Sequence, residues 1–116
     1  MSTYADTLNH LKSDYPFDRM RKYWQDPEDQ EACHKIEQGY DELIASLIEL
    51  GPDASEASKI ACFEQAIAVT NDYDGVIETG EREDLCELTN SITIACGLDP
   101  NQYGSGEGLA SEWRNW

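Results

Sequence analysis

Basic residues are scarce in this sequence. Lysine and arginine account for 8 of its 116 residues, aspartate and glutamate account for 24, and the formal net charge at pH 7 is −16. A surface of this charge repels nucleic acid and anionic membranes, so we expect neither to bind directly, and it attracts basic proteins. Acidity also keeps an ordinary domain soluble, so charge alone does not identify a function.

Long apolar runs are absent as well. No stretch approaches the roughly 18 apolar residues that a membrane-spanning helix requires. The opening MSTYADTLNHLKSDY has no apolar region of the kind found in secretory signals. We therefore expect no membrane association and a cytoplasmic location.

Metal ligands and catalytic bases are few. The two histidines, His10 and His34, lie in polar helical contexts typical of surface residues. Asp72-Tyr73-Asp74 begins like a calcium loop, but Gly75 is out of register with the glycine at the sixth position of such a loop. The cysteines form no CxxC pair and are expected to be reduced core thiols: Cys33, Cys62, Cys86 and Cys96. We predict no metal, cofactor or catalytic residue; the alternative is a metal-binding or enzymatic helical bundle using His34, Glu37 and cysteines.

A glycine-rich stretch, YGSGEGLAS, resembles a phosphate-binding loop. It lacks the Lys-Ser/Thr pair and the preceding strand of such loops, and Glu107 would repel a phosphate. We therefore predict a flexible connection over residues 101–108.

Runs with the alternating pattern of strands are missing, and apolar residues recur instead at spacings of three and four. The pattern predicts an all-α fold, a small single-domain antiparallel bundle of about four to five helices spanning residues 1–116. The expected N-caps are Ser2 or Thr3, Asp26, Asp53 or Ser55, and Thr79. The predicted helices cover about 3–13, 17–24, 27–50, 55–75, 79–97 and 109–116.

Each long helix carries a predicted core stripe. The stripe of the longest helix comprises Cys33, Ile36, Tyr40, Leu43, Leu47 and Leu50, with Ile44 and Ile48 widening it. The next helix has Ile60, Phe63, Ile67 and Thr70 among many small apolar residues, which predicts a central position in the bundle. The last long helix has Leu85, Leu88, Ile92 and Cys96.

The charge is unevenly distributed. Residues 1–26 hold four acids and four bases and form a charge-neutral N-terminal segment. Residues 27–116 hold 20 acids and four bases and form an acidic bundle. Seven of these acids fall between residues 72 and 87, opposed in that stretch only by Arg82.

This acidic stretch is the candidate partner-binding site. Its predicted members are Asp72, Tyr73, Asp74, Glu78, Glu81, Glu83, Asp84 and Glu87. Either Tyr73 or Tyr103 is expected to be the aromatic anchor of the interface. The alternative is a well-capped helix start, in which Thr79 is the N-cap and acids in the first turn gain about 0.3–1 kcal/mol each from the helix dipole. The residues expected to have structural roles are Thr79, Arg82, Trp113, Arg114 and Trp116. Arg82 and Arg114 are each expected to pair with local acids. For Arg82 the alternative is a contact that reaches across to another helix.

Four short motifs carry a family resemblance: Thr70-Asn71, Ile77-Glu78-Thr79, Arg82-Glu83 and Arg114-Asn115-Trp116. Together they resemble a family of small acidic helical bacterial proteins, domain of unknown function 5713, over residues 43–116. The chain departs from that family at Asn115, where an acid is expected, and in its N-terminal third, where only MRKYWQDPE is similar. The resemblance implies no activity; it implies a local structure shared by Glu78, Thr79, Arg82 and Trp116.

These features predict a non-enzymatic acidic protein that binds a basic partner. Small acidic helical bacterial proteins resemble immunity proteins, so the expected partner is a basic bacterial toxin domain, neutralised by protein–protein contact. One alternative is a DNA mimic that inhibits a nucleic-acid-binding complex through carboxylates at phosphate-like spacing. Another is an acidic domain whose charge serves solubility alone.

Overall fold

The computed structural model describes residues 3–116, and all of their regular secondary structure is helical. The α-helices are α1 (Tyr4–His10), α2 (Phe17–Tyr23), α3 (Pro27–Leu50), α4 (Glu56–Asn71), α5 (Thr79–Ala95) and α6 (Ala110–Trp113). Short 3₁₀ turns cover Leu11–Asp14, Asp74–Val76, Pro100–Gln102 and Gly104–Gly106. The prediction of an all-α domain is confirmed. Within these residues no helix is both long enough and apolar enough to cross a bilayer.

Side-chain caps fix two of the helix starts. The Thr3 hydroxyl accepts a hydrogen bond from the Asp6 amide at 3.0 Å, and the Asp6 carboxylate accepts one from the Thr3 amide. Ser55 caps α4 by accepting from the Ser58 amide at 3.2 Å, so Asp53 is not the cap. Asp26 occupies the N-cap position of α3 without a capping hydrogen bond. Ser2, the other candidate cap of α1, lies outside the described residues.

A glycine ends a helix where the backbone after the last turn needs a positive φ angle. Gly97 has φ +93°, and its amide donates to the Ile94 carbonyl at 3.0 Å while the Leu98 amide donates to the Thr93 carbonyl at 3.0 Å. This pair of bonds is a Schellman motif, which a residue with a Cβ forms only under strain. α4 ends at Asn71, earlier than predicted, because the chain turns there into the 3₁₀ segment.

The core stripes of α3 and α5 are confirmed, with one exception. Leu50 is 41% exposed because it lies in the last turn of α3. α3 and α4 are joined by a short turn and pack antiparallel, with Gly39 of α3 against Val69 of α4. In the centre, the buried Tyr40 hydroxyl lies 2.7 Å from Thr89 Oγ1. Thr89 donates its own proton to the Leu85 carbonyl, so Tyr40 is the donor of this bond.

The prediction that α4 is central is wrong. Ala57, Ala61 and Ala68 are exposed, and only one side of the helix faces the core. Alanine gains little from burial and is common at surfaces, so a run of small residues does not require cover on every side. The stripe itself is confirmed for Phe63 and Ile67, which are buried.

The neutral N-terminal segment is part of the same core as the acidic bundle. Leu8, Phe17, Met20 and Trp24 are buried in it. The segment also supplies partners for acids elsewhere: Arg19 pairs with Asp84, Arg21 pairs with Glu37, and the Tyr15 hydroxyl donates to Asp41. The step in charge along the sequence is therefore not a structural boundary.

Lys59 of α4 is buried, which the apolar pattern did not predict. Its side chain is 5% exposed, and Nζ donates to the carbonyl of Pro52, just beyond α3, and to that of Cys96, at the end of α5, both at 2.8 Å. Nζ also lies 5.8 Å from the centre of the Tyr4 ring in α1. Helix C-termini carry partial negative charge, so one cation here satisfies carbonyls from two helix ends.

We expect Lys59→Met to lower the free energy of unfolding by about 1–3 kcal/mol, because both carbonyls lose their donor while the apolar packing is kept. Urea unfolding followed by circular dichroism at 222 nm measures this. Lys35→Met is the matched control, since it removes the same charge from an exposed side chain that lies 3.9 Å from Glu31. Equal stability of the two variants would show that the buried bonds contribute nothing.

Candidate protein-binding surface

The predicted partner-binding residues lie in three places. Asp72, Tyr73, Asp74 and Glu78 occupy the connection between α4 and α5. Glu83 and Glu87 lie on the side of α5 that points away from the core, and Glu81 and Asp84 lie on the side that faces α2. The five exposed acids of this set form no side-chain hydrogen bond and no ion pair within the described chain: Asp72, Asp74, Glu78, Glu83 and Glu87.

We call Gly80, Glu83, Glu87 and Ile94 the outer face of α5. All four residues are exposed, and Ile94 remains 65% exposed although it is large and apolar. Glu83 and Glu87 are one helical turn apart, a spacing at which like charges destabilise a helix by a few tenths of a kcal/mol, or about 0.2–0.5. The outer face therefore contributes nothing evident to the stability of the fold.

Glu81 and Asp84 instead bind α2. The indole Nε1 of Trp24 donates to Glu81 Oε1 at 3.0 Å, and Arg19 Nη2 lies 3.3 Å from Asp84 Oδ2. Arg19 of α2 therefore opposes the acidic stretch from outside it. The count of local charges missed Arg19 because α2 approaches α5 only in the folded chain.

A cleft separates α2 from α5, and we call it the α2–α5 cleft. It contains two cavities, of about 310 and about 290 Å³, and Arg19 and Asp84 line both. The first is also lined by Leu11, Asp14, Pro16, Glu87, Leu88 and Ser91. The second is also lined by Met20, Tyr23, Gly80 and Glu81. The cleft thus combines apolar walls with carboxylates.

Neither predicted aromatic anchor is free. Tyr73 is half-buried against the core, and the Tyr103 hydroxyl donates to Glu56, a bond that raises the pKa of Tyr103 to about 12. Tyr23 is 83% exposed at the rim of the α2–α5 cleft and is the better candidate. Sequence reasoning missed it, because a spacing of three residues would place Tyr23 on the same helix face as Met20.

The predicted role of Thr79 as N-cap is wrong. The Glu78 carbonyl accepts a hydrogen bond from the Arg82 amide at 2.9 Å, so the N-cap of α5 is Glu78, one residue before Thr79. The Glu78 side chain forms no capping hydrogen bond. Thr79 is the first helical residue and is exposed. Of the acids expected in the first turn, Glu81 lies there, whereas Glu83 and Asp84 fall in the next turn.

Arg82 is half-exposed and makes no ion pair within 4.0 Å and no side-chain hydrogen bond anywhere in residues 3–116. It lines a cavity of about 200 Å³ together with Cys86, Ser111 and Arg114. Burial raises the pKa of the Cys86 thiol, and the Arg114 and Arg82 guanidiniums partly offset that rise. Neither interpretation of Arg82, local pairing or a contact across helices, is realised as a bond.

Arg114 and the two final tryptophans have structural positions. The Arg114 guanidinium lies 5.7 Å from the centre of the Trp116 ring, donates to the Trp116 carbonyl and lies 3.9 Å from Glu107. Trp116 is buried but lies beyond α6, which ends at Trp113, earlier than predicted. Local pairing of Arg114 is therefore confirmed.

Asn71 holds this C-terminal segment. Its Nδ2 donates to the Trp113 carbonyl at 3.0 Å, and its Oδ1 accepts from the Asn115 amide at 2.9 Å. Two of the motifs behind the family resemblance, Thr70-Asn71 and Arg114-Asn115-Trp116, thus meet in one latch. Their proximity has a structural explanation that requires no ligand.

The glycine-rich stretch contains two 3₁₀ turns and contacts α5, and its predicted flexibility stays a prediction. Gly108 has φ +117°, and a Cβ there would lie 2.0 Å from Asn90 Oδ1. Asn90 donates from Nδ2 to the Glu107 carbonyl at 3.2 Å. The positive φ favours glycine at residue 108, and a Cβ there would also displace the Asn90 side chain.

Metal-ligating residues are dispersed. In the part of the chain from residue 3 onward, histidine, cysteine, aspartate and glutamate form no group of three placed to share an ion. His10 and His34 are exposed, as predicted. The cysteines are free thiols, with Cys33 and Cys96 buried and the other two half-buried.

The chain matches no protein-family model, no curated protein and no solved structure. The resemblance to domain of unknown function 5713 therefore stays a prediction.

We expect Asn71→Ala to release the C-terminal latch and to lower the free energy of unfolding by about 1–3 kcal/mol, since a carbonyl and an amide lose their partners. Hydrogen exchange at the Asn115 amide, followed by NMR, should accelerate. Asn101→Ala is the control, because that side chain is exposed and makes no hydrogen bond within the described residues. Unchanged exchange at Asn115 would contradict the latch.

Proposed function

We propose that this chain is a non-enzymatic cytoplasmic protein that neutralises a basic partner protein, in the manner of an immunity protein that covers a bacterial toxin domain. The partner-facing residues are the outer face of α5 and the acids of the connection before it. One observation carries the proposal: the exposed acids of this region have no partner within the described chain, whereas Glu81 and Asp84 beside them do.

The chemistry of this surface suits a cationic protein. A group of exposed carboxylates attracts a basic partner over a distance and raises its association rate by about 10–1000-fold. Stable interfaces also need apolar or aromatic anchors near their centre. Ile94 on the outer face and Tyr23 at the rim of the α2–α5 cleft supply them.

The experiment that tests this proposal is a salt-dependent capture with tagged protein from the lysate of its own cells, followed by mass spectrometry. We expect a single stoichiometric basic protein at low salt that is released at high salt. Glu83→Lys/Glu87→Lys should weaken its binding by about tenfold or more, because two attractive contacts become repulsive. The identity of the captured protein distinguishes a toxin domain from a nucleic-acid-binding complex, the partner that a DNA mimic would take.

The matched control is Glu42→Lys/Glu64→Lys, which changes the net charge equally at exposed helical positions of α3 and α4. We expect it to retain the partner. Equal loss with both double variants would indicate attraction to overall charge, and retention with both would exclude the outer face of α5. Circular dichroism confirms that each variant is folded.

A further inference from the structure

We infer that the second cavity of the α2–α5 cleft receives one arginine side chain of the partner, which competes with the chain's own Arg19 for Asp84. This inference rests on the proposed function in assuming that the occupant belongs to a basic protein. It specifies the residue type recognised and the residues that recognise it.

The shape of the cavity suits a long side chain with a charged end. It measures about 290 Å³, and its apolar walls are Met20 and the exposed ring of Tyr23. At Gly80 the entrance is open, since even a Cβ at that position would meet no atom within 4 Å. An arginine can lay its methylene groups on such walls and stack its guanidinium on the tyrosine ring.

Two carboxylates stand at this cavity, and Glu81 is held in position by a hydrogen bond. Glu81 is held through Oε1 by the Trp24 indole, and no bond is made by its Oε2. Asp84 contacts Arg19 through Oδ2, and no bond is made by its Oδ1. Groups that are ordered before binding lose less entropy when a ligand arrives.

Arg19 shows that this position attracts a guanidinium, and it is weakly held. The Arg19 side chain is 65% exposed and approaches Asp84 at 3.3 Å. Exposed pairs of this kind contribute about 0–1 kcal/mol, so an incoming guanidinium displaces Arg19 at little cost. Arg19 also neutralises only one of the two carboxylates, which leaves one negative charge for the partner.

Arginine fits this site better than lysine. Its planar group makes two parallel bonds to a carboxylate and stacks on an aromatic ring, whereas the lysine ammonium is compact and strongly hydrated. The pairing of Tyr23 with Glu81 and Asp84 offers both contacts to a guanidinium at once.

The test uses the full chain and three acetylated, amidated nonapeptides of one sequence, carrying three arginines, three lysines or three citrullines. NMR titration at low salt gives the dissociation constants. We expect the arginine peptide to bind most tightly and to shift the amides of Tyr23, Gly80, Glu81 and Asp84. Tyr23→Ala should weaken that binding about threefold or more, because the stacking surface is lost.

The decisive variant is Arg19→Met, which should tighten binding of the arginine peptide about threefold, because the competitor for Asp84 is gone. Lys22→Met is the matched control, since it removes the same charge from an exposed position of the same helix. If both variants tightened binding equally, the effect would come from the change in net charge, and the inference would be overturned. Equal binding of the arginine and lysine peptides would overturn it too.

This test is independent of the natural partner. If Glu83→Lys/Glu87→Lys loses the captured partner while the cleft shows no preference for arginine, the inference fails and the proposed function stands. If the cleft prefers arginine and no basic protein is captured, the proposed function fails and the preference of the cleft stands.

Discussion

The buried ammonium of Lys59 is the interaction on which the arrangement of the helices depends. It extends from α4, binds the carbonyls at the ends of α3 and α5, and lies against the Tyr4 ring of α1. A buried cation is tolerated only where it is paired or hydrogen-bonded, and these two carbonyls supply the acceptors for Lys59. In a chain with four bases after residue 26, one of them serves the core and not the surface.

Because basic residues are few, some carboxylates have a partner within the chain and others have none. Arg19, Arg21, Tyr15 and Trp24 of the N-terminal segment bind acids of the bundle, and this docking draws α2 onto α3 and α5. The remaining acids of the α4–α5 connection and the outer face of α5 receive no counter-charge. The fold thereby leaves the connection and the outer face of α5 without counter-charge, beside a cleft where Arg19 pairs with Asp84.

The helices and most of the core could be predicted from the sequence because both depend on residues three and four apart. Caps at Thr3 and Ser55 and the stop at Gly97 are equally local. Lys59 could not be predicted, since its acceptors are set by how helices converge. The bond between Trp24 and Glu81 joins residues 57 apart in sequence, so the acidic stretch looked uniform although part of it is occupied. Tyr23 was missed for the same reason: its exposure depends on where α2 crosses α5.

Charge alone cannot hold a partner on this surface. At physiological ionic strength, screening acts over about 8 Å, so exposed carboxylates guide an approaching protein and contribute less once contact is made. Lasting affinity then depends on groups that exclude water, and around the outer face of α5 these are Ile94, Tyr23 and the walls of the α2–α5 cleft. Under the proposed function, the acids of the outer face would govern how fast a basic protein arrives, and the cleft would govern how long it stays. The proposed interface would thus separate recognition of charge from recognition of shape, because the acids and the cleft that serve these two roles are different groups of residues.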